Sequence, residues 1–308
     1  MHIRFQHWGL WLLVPLFLFS CRLSTPQVPA TQPTTEVSTP KAQTLRFSSL
    51  SELQAALHWT PETVPMISAH RGGPVPGFPE NCIPTFEHTL SITPAMLEMD
   101  ISRSRDGQLF LLHDNTLDRT TTGSGPAGDH NWEQLQELRL VDNEGNATDF
   151  KIPTLQEVLE WGRGKCLMSL DIKQGVPLKE VIEAVEAAKA EHSVVLITYN
   201  NLDAEAIHRF NPDLMISASI RNFDELKRFQ DTGVPLQNVI AFTGTRTKEK
   251  AFYDKLHALG IRCILGTLGN LDKSAAAKGN SLYEQWHALG ADIFATDRPA
   301  AVAETFFK

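Results

Sequence analysis

Residues 66–73 read MISAHRGG, residues 95–103 read AMLEMDISR and residues 104–113 read SRDGQLFLLH, and these three runs decide how the chain is arranged. Met66–Ala69 is a short apolar run that reads as a buried strand, and His70-Arg71-Gly72 stands where that strand turns away. Ala95–Met99 repeats the arrangement. Period-two alternation puts Glu98 and Asp100 on one face of this second strand, with Met99 on the other. Two carboxylates held so close repel each other, so the pair is tolerated only with a cation or a proton between them. Ser104-Arg105-Asp106-Gly107 carries the Asp-Gly signal of a hairpin joining Ile101–Arg103 to Gln108–His113. Folding about that turn pairs residues whose numbers sum to about 211, which returns His113 to the neighbourhood of Glu98. His70 arrives from the adjacent strand. Two imidazoles flanking a divalent-ion site are what general acid and general base need to cleave a phosphate ester near neutral pH.

Outward from this stretch the chain alternates strand and helix. Apolar strand candidates recur at Cys166–Ile172, Val194–Thr198, Leu214–Ala218, Val239–Thr243, Ile261–Leu265 and Ile293–Thr296. Helical patterns fall at Ser49–His58, Thr85–Ser91, Leu155–Gly162, Leu178–His192, Leu202–Phe210, Asn222–Asp231, Lys248–Leu259 and Ser281–Leu289. With the hairpin counted as an excursion after the second strand, the alternation predicts an α/β fold, a (βα)8 TIM barrel over residues 48–308. Active residues must then sit at the carboxyl ends of strands. His70, Glu98 with Asp100, Asp171 with Lys173, and Asp297 all qualify. Residues 114–150 are too long for an ordinary loop and read as a lid or small insertion.

The ordered set His70-Arg71-Gly72, Pro79-Glu80-Asn81, Glu98-x-Asp100, Asp106-Gly107, His113-Asp114, Leu117-x-Arg119-Thr120-Thr121 and Gly123-x-Gly125 resembles the glycerophosphodiester phosphodiesterase family, whose barrel is related to that of phosphoinositide-specific phospholipase C. It continues at Ile152-Pro153-Thr154-Leu155, weakly at Asp171-Ile172-Lys173, and at Gly290-Ala291-Asp292 and Thr296-Asp297-x-Pro299. The resemblance implies metal-dependent hydrolysis of a glycerophosphodiester to sn-glycerol 3-phosphate and an alcohol, with the neighbouring glycerol hydroxyl attacking first to give a cyclic phosphate. It makes His70 and His113 the acid/base pair, and Glu98, Asp100 and Asp171 the ligands of one Ca²⁺ or Mg²⁺. Arg71 and Lys173 fall to the phosphate, and Glu80 either joins the ion or orients Arg71. Diesters of lysophospholipid or inositol type, or a binding lipoprotein without activity, are the alternative readings.

Three departures from the family pattern matter. Asp171 stands where the family generally has the longer Glu, Cys82 where it usually has Thr, and Leu265-Gly266-Thr267-Leu268-Gly269-Asn270 replaces a Trp-Thr-x-Asn run. The last change leaves the alcohol-binding surface open, with Phe78, Trp132, Tyr199 and Phe242 as candidates for it. Asp114, Arg119, Thr120, Thr121 and Asp297 read as scaffold.

The N-terminus carries a separate message. His2 and Arg4 precede the apolar run Leu10–Phe19, and Leu18-Phe19-Ser20-Cys21 is similar to a bacterial lipobox. The expectation is a signal peptide over residues 1–20, lipid on Cys21 and a disordered tether over residues 21–47, which anchors the domain to the membrane of a bacterial cell envelope. A net charge of -8, with an isoelectric point near 5.8, excludes a nucleic-acid partner. Cys82, Cys166 and Cys263 remain as an odd set with no disulfide framework and read as small apolar fillers.

Overall fold

A computed structural model describes residues 45–307, together with His2 and Gly9; Cys21, the rest of the expected signal peptide and residues 22–44 lie outside the described residues. Nine strands form one sheet: β1 (Met66–Ala69), β2 (Met96–Arg103), β3 (Leu109–Leu111), β4 (Leu167–Ile172), β5 (Val194–Thr198), β6 (Met215–Ser219), β7 (Val239–Phe242), β8 (Cys263–Gly266) and β9 (Ile293–Thr296). Its order is β1-β9-β8-β7-β6-β5-β4-β2-β3, and pairing of β1 with β2 closes all but β3 into a parallel barrel. This is the (βα)8 barrel that the alternation predicts, with β3 as the antiparallel excursion.

Inside the barrel the strands present their residues in layers. Met66, Met96, Leu167, Val195, Met215, Ile240, Ile264 and Ile293, one from each barrel strand, pack together at the amino-terminal end. Leu53 and Leu57 of the helix Leu50–Leu57 plug that end from below. Ser49 caps this helix through its hydroxyl, which accepts from the Glu52 amide. The opposite strand faces, with Leu97, Met99, Leu170, Leu196, Ile216 and Phe294 among them, are buried against the surrounding helices. Apolar contact on both faces of the wall is why the strands read as unbroken apolar runs rather than alternating ones. The packing extends to Leu45, which is buried, and Arg46, whose Nε donates to Lys165 O, so the folded part reaches upstream of Ser48.

Some elements differ from expectation. β2 is a single strand of eight residues: its first part pairs with β1 and β4, and Ile101–Arg103 runs on to pair with β3. Glu98 and Asp100 therefore lie within the strand rather than at its end. The register couples Ile101 with Leu111, so paired numbers sum to 212, one from the inferred value. The helix expected over Leu178–His192 stops at Ala187, where Lys189 takes a left-handed conformation and a 3₁₀ turn over Glu191–Ser193 follows. Asn270–Lys278 and Pro299–Phe306 are helices that the sequence pattern hides: the first is short and polar, while the second opens on Pro299 and buries Val302 and Phe306 one turn apart. Residues 114–150 hold a 3₁₀ turn, Ala127–Asp129, and a short helix, Trp132–Leu135. They close over a small core made by Leu117, Ala127, Leu135 and Leu140 with Cys82, Phe110, Leu112 and Ile152.

The base of the barrel is fastened by a buried arginine and a buried aspartate. Arg262 is 1% exposed and donates to Ala56 O and Val64 O, joining the plug helix to the entry of β1. Burial pushes its guanidinium down to about 10, and the charge of Asp292 works the other way. Asp292 also accepts from the Cys263 amide at 2.7 Å and from His257 Nε2 at 2.9 Å. Replacing Asp292 with Ala leaves two buried donors unpaired and removes the negative charge that favours the buried Arg262 cation. The expected loss is about 3 kcal/mol or more, read as a lowered urea midpoint with an unchanged slope; a shift near zero would show that Arg262 is satisfied by carbonyl groups alone.

Candidate active site

At the carboxyl end the inner layers change character. Ser68, Ser169, Ser217 and Ala295 occupy positions where most barrels pack bulky side chains, so a cavity of about 250 Å³ sinks into the mouth. Two sides of it differ in chemistry. β1, β2 and β4 bring His70, Glu98, Asp100, Asp171 and Lys173 to its wall, and the excursion adds His113. β5, next to β4, and β7 and β8 farther round the barrel contribute Ile197, Tyr199, Phe242 and Ile264, with Leu268 beyond the last of them.

The carboxylates are adjacent because the strands are in register. Asp100 stands directly opposite Asp171 across the β2–β4 ladder, and Glu98 lies two residues earlier on the same face. One oxygen from each of Glu98, Asp100 and Asp171 lies within 4.8 Å of the others. All three are buried: Glu98 is 9%, Asp100 1% and Asp171 6% exposed. Burial and then the neighbouring Asp100 charge push the Glu98 carboxyl well above the usual range. Burial acts on Asp100 too, but the Lys173 ammonium and the Asn81 hydrogen bond outweigh it and hold this carboxyl down. Lys173 Nζ stands 2.6 Å from Asp100 Oδ1 and 2.6 Å from Asp171 Oδ2. A dense all-oxygen set of this kind suits a hard divalent cation.

Each imidazole is paired with an aspartate. His70 Nδ1 donates to Asp297 Oδ1 and His113 Nδ1 to Asp114 Oδ1, both at 2.7 Å. The carboxylates fix the tautomer, so Nε2 is the nitrogen each ring can offer to a ligand in the cavity. Burial lowers the His70 pKa, but the Asp297 hydrogen bond and the charges of Glu98 and Asp297 more than reverse it, leaving it raised overall. Asp114 is itself gripped by Arg119 through Nε and Nη2, which holds its carboxyl far below the usual range.

Behind the carboxylate wall lies a supporting layer. Arg71 adopts a left-handed backbone, φ 52°, and its amide donates to Glu98 Oε2 at 2.7 Å. Gly72 follows with φ 83°, and a Cβ there would run into the Phe86 ring, which is why the turn ends in glycine. The Arg71 Nη1 meets both Glu80 oxygens at 3.0 Å, and Arg119 clasps the same carboxylate from the other side. Asn81 holds Asp100 twice, through Nδ2 to Oδ2 and through its side-chain oxygen to the Asp100 amide.

The expected residues thus divide. His70, His113, Glu98, Asp100, Asp171 and Lys173 converge on one cavity. Arg71 and Glu80 do not line it: the Arg71 guanidinium sits behind Asp100, with Nε 3.8 Å from Oδ2, and Glu80 orients it. Asp297, Asp114 and Asn81, read as scaffold or left without a role, turn out to hold the histidines and Asp100. The missed signal for Asp297 was topological, because closure of the barrel sets Thr296 beside Ala69 and so brings residue 297 to residue 70. Tyr199 donates to Asp171 Oδ1 at 2.9 Å, a bond that no local pattern could reveal.

An eight-stranded barrel with paired imidazoles facing clustered carboxylates at its carboxyl-terminal mouth places the protein among the phosphodiesterase barrels. The sequence pattern of the glycerophosphoryl diester phosphodiesterase family matches residues 70–266, and the chain belongs to that family. A glycerophosphoryl diester phosphodiesterase from Parabacteroides distasonis has a crystal structure 36% identical to this chain, with a TM-score of 0.81 over 85% of this chain and 92% of that one. The glycerophosphodiester phosphodiesterase of Caldanaerobacter subterraneus is 30% identical over 158 residues, 49% of this chain and 65% of that protein, so the chain spans less than two thirds of its length. A phosphodiesterase from Oleispira antarctica, solved with the product sn-glycerol-3-phosphate, shares the fold at 19% identity, with a TM-score of 0.61 over 78% of this chain and 96% of that one.

The His70–Asp297 pair has a pH signature. His70 is raised, so its share of the pair's stability is complete below about pH 6.5 and is lost as pH rises through the folded value; Asp297 is lowered, so its share is complete above about pH 4 and is lost as pH falls through its folded value. Asp297→Asn should therefore open its widest gap in melting temperature from wild type at about pH 5–6, shrinking toward about pH 9. Circular dichroism melts across that range test it, and a gap that widens with alkali would contradict the pairing.

Proposed function

We propose that the protein hydrolyses glycerophosphodiesters to sn-glycerol 3-phosphate and an alcohol, with His70 and His113 as the acid/base pair. The observation that carries this reading is the pair of aspartate-tethered imidazoles lining one small cavity with three buried carboxylates. Glu98, Asp100 and Asp171 would hold a Ca²⁺ or Mg²⁺, which supplies positive charge for the phosphate oxygens.

The chain's own groups do the rest. One imidazole takes the proton from the glycerol hydroxyl next to the phosphate, and the other gives a proton to the departing alkoxide. An internal hydroxyl enjoys an effective molarity on the order of 10⁵ M or more, so alignment and deprotonation are enough to start the reaction. Water then opens the cyclic phosphate as the imidazoles exchange roles. Asp297 and Asp114 keep each ring in one tautomer and stabilise its protonated form. Lys173 adds charge beside the phosphate, while Arg71 reinforces Asp100 from behind. Product binding in the Oleispira antarctica barrel fits this substrate class. The apolar side made by Ile197, Tyr199, Phe242 and Leu268 supports an alcohol arm with apolar surface, so lysophospholipids belong in the same substrate panel.

The test measures release of sn-glycerol 3-phosphate from glycerophosphodiesters by the full chain. His113→Ala should lower kcat by about a thousandfold with an unchanged far-ultraviolet spectrum, and a chelator should abolish turnover until Ca²⁺ or Mg²⁺ is returned. Near wild-type turnover by the variant would defeat the acid/base assignment.

We also propose that Cys21 carries lipid and tethers the barrel to a bacterial envelope membrane, on the strength of the Leu18–Cys21 pattern. In Triton X-114 extraction of expressing cells the wild-type chain should enter the detergent phase and Cys21→Ser should not; equal partitioning of the two would end this reading.

A further inference from the structure

We propose that Lys173 is a displaceable cation: its ammonium and a divalent ion claim the same carboxylate oxygens, so ion binding drives the lysine off the carboxylates and toward the phosphate. The inference rests on the reading of Glu98, Asp100 and Asp171 as ion ligands, and goes beyond it. Each of the three carboxylates has one oxygen fastened to the scaffold. Glu98 Oε2 accepts from the Arg71 amide, Asp100 Oδ2 from Asn81 Nδ2 and Asp171 Oδ1 from the Tyr199 hydroxyl. The oxygens left over are Glu98 Oε1, Asp100 Oδ1 and Asp171 Oδ2. Lys173 Nζ lies 2.6 Å from the last two, and among the described residues no donor reaches Glu98 Oε1.

A hard divalent ion binds carboxylate oxygens at about 2.0–2.6 Å, so it needs the space in which the ammonium already stands. A divalent ion and an ammonium held against the same Asp100 Oδ1 and Asp171 Oδ2 would stand only a few ångströms apart, and their repulsion favours moving the more mobile of the two. The backbone of Lys173 is fixed, since its amide donates to Ile101 O, so the change is confined to a flexible four-carbon stem that lines the cavity. Once released, the ammonium finds its next anion in a phosphoester bound at the same mouth. The consequence is linkage. Ion binding frees the lysine for the phosphate, and phosphate binding removes the competitor of the ion, so each ligand tightens the other by the same factor.

Calorimetric titration of the full, EDTA-stripped chain with Mg²⁺ and with Ca²⁺, with and without sn-glycerol 3-phosphate, tests this. Lys173→Met should bind the ion about tenfold more tightly than wild type when phosphoester is absent, and the tightening that phosphoester gives wild type should shrink to about twofold or less. Wild-type protein offers a second readout with no substitution: amine-reactive labelling followed by mass spectrometry should find Lys173 protected after EDTA and reactive with ion bound. Ion affinity in Lys173→Met equal to or weaker than wild type, with Lys173 labelling unmoved by ion, would overturn the displacement while leaving the hydrolase reading intact. Failure of both proteins to bind either ion would bring down the ion reading and the displacement together, and would make Lys173 a fixed partner of the two aspartates.

Discussion

Three carboxylates buried side by side in the mouth of a barrel are the constraint on which the rest of this structure depends. Removing even one such group from water is unfavourable, and packing three within 4.8 Å adds mutual repulsion. The surrounding residues are arranged to answer that cost. Asn81 gives Asp100 two hydrogen bonds, the Arg71 amide gives Glu98 one, Tyr199 gives Asp171 another, and Lys173 bridges Asp100 and Asp171. A backbone bent into the left-handed region at Arg71 and again at Asn81 is what this support requires, since those bends turn an amide and a side chain toward the carboxylates.

The barrel makes such a cluster possible through a gradient along its axis. Every second residue of each strand points inward, so β4 supplies an apolar base, a small middle position and a charged rim in Leu167, Ser169 and Asp171, while β2 sets the charged Glu98 and Asp100 above the apolar Met96. Bulky side chains at the base exclude water and hold the wall, with the plug helix sealing them. Serines at the middle layer leave room for a ligand to descend among the charges. Stability and chemistry are thus divided between the two ends, as in barrels generally.

Much of this was legible in the sequence because it is local. Strand alternation fixed the shared face of Glu98 and Asp100, and the Asp-Gly turn fixed the return of His113 to within one residue of the true register. Contacts that depend on closure were not legible. Asp297 lies far along the chain from His70, and only the pairing of β1 with β9 makes them neighbours. The setting of Arg71 was hidden for a similar reason: its partner Glu80 is also clasped by Arg119 from the insertion, a contact between segments far apart in the chain. Helices such as Asn270–Lys278 escaped because their polar, alanine-rich faces carry little periodic signal.

The exchange of Glu for Asp at residue 171 shows how the scaffold absorbs a local change. A carboxylate shortened by one methylene would retreat from the cluster if its backbone were elsewhere. Here register sets Asp171 directly opposite Asp100, so the shorter side chain still reaches the shared Lys173. Tyr199 donates to its other oxygen, Oδ1, at 2.9 Å. The same tyrosine lines the cavity beside Ile197, so one residue touches both the acid cluster and the apolar part of the wall.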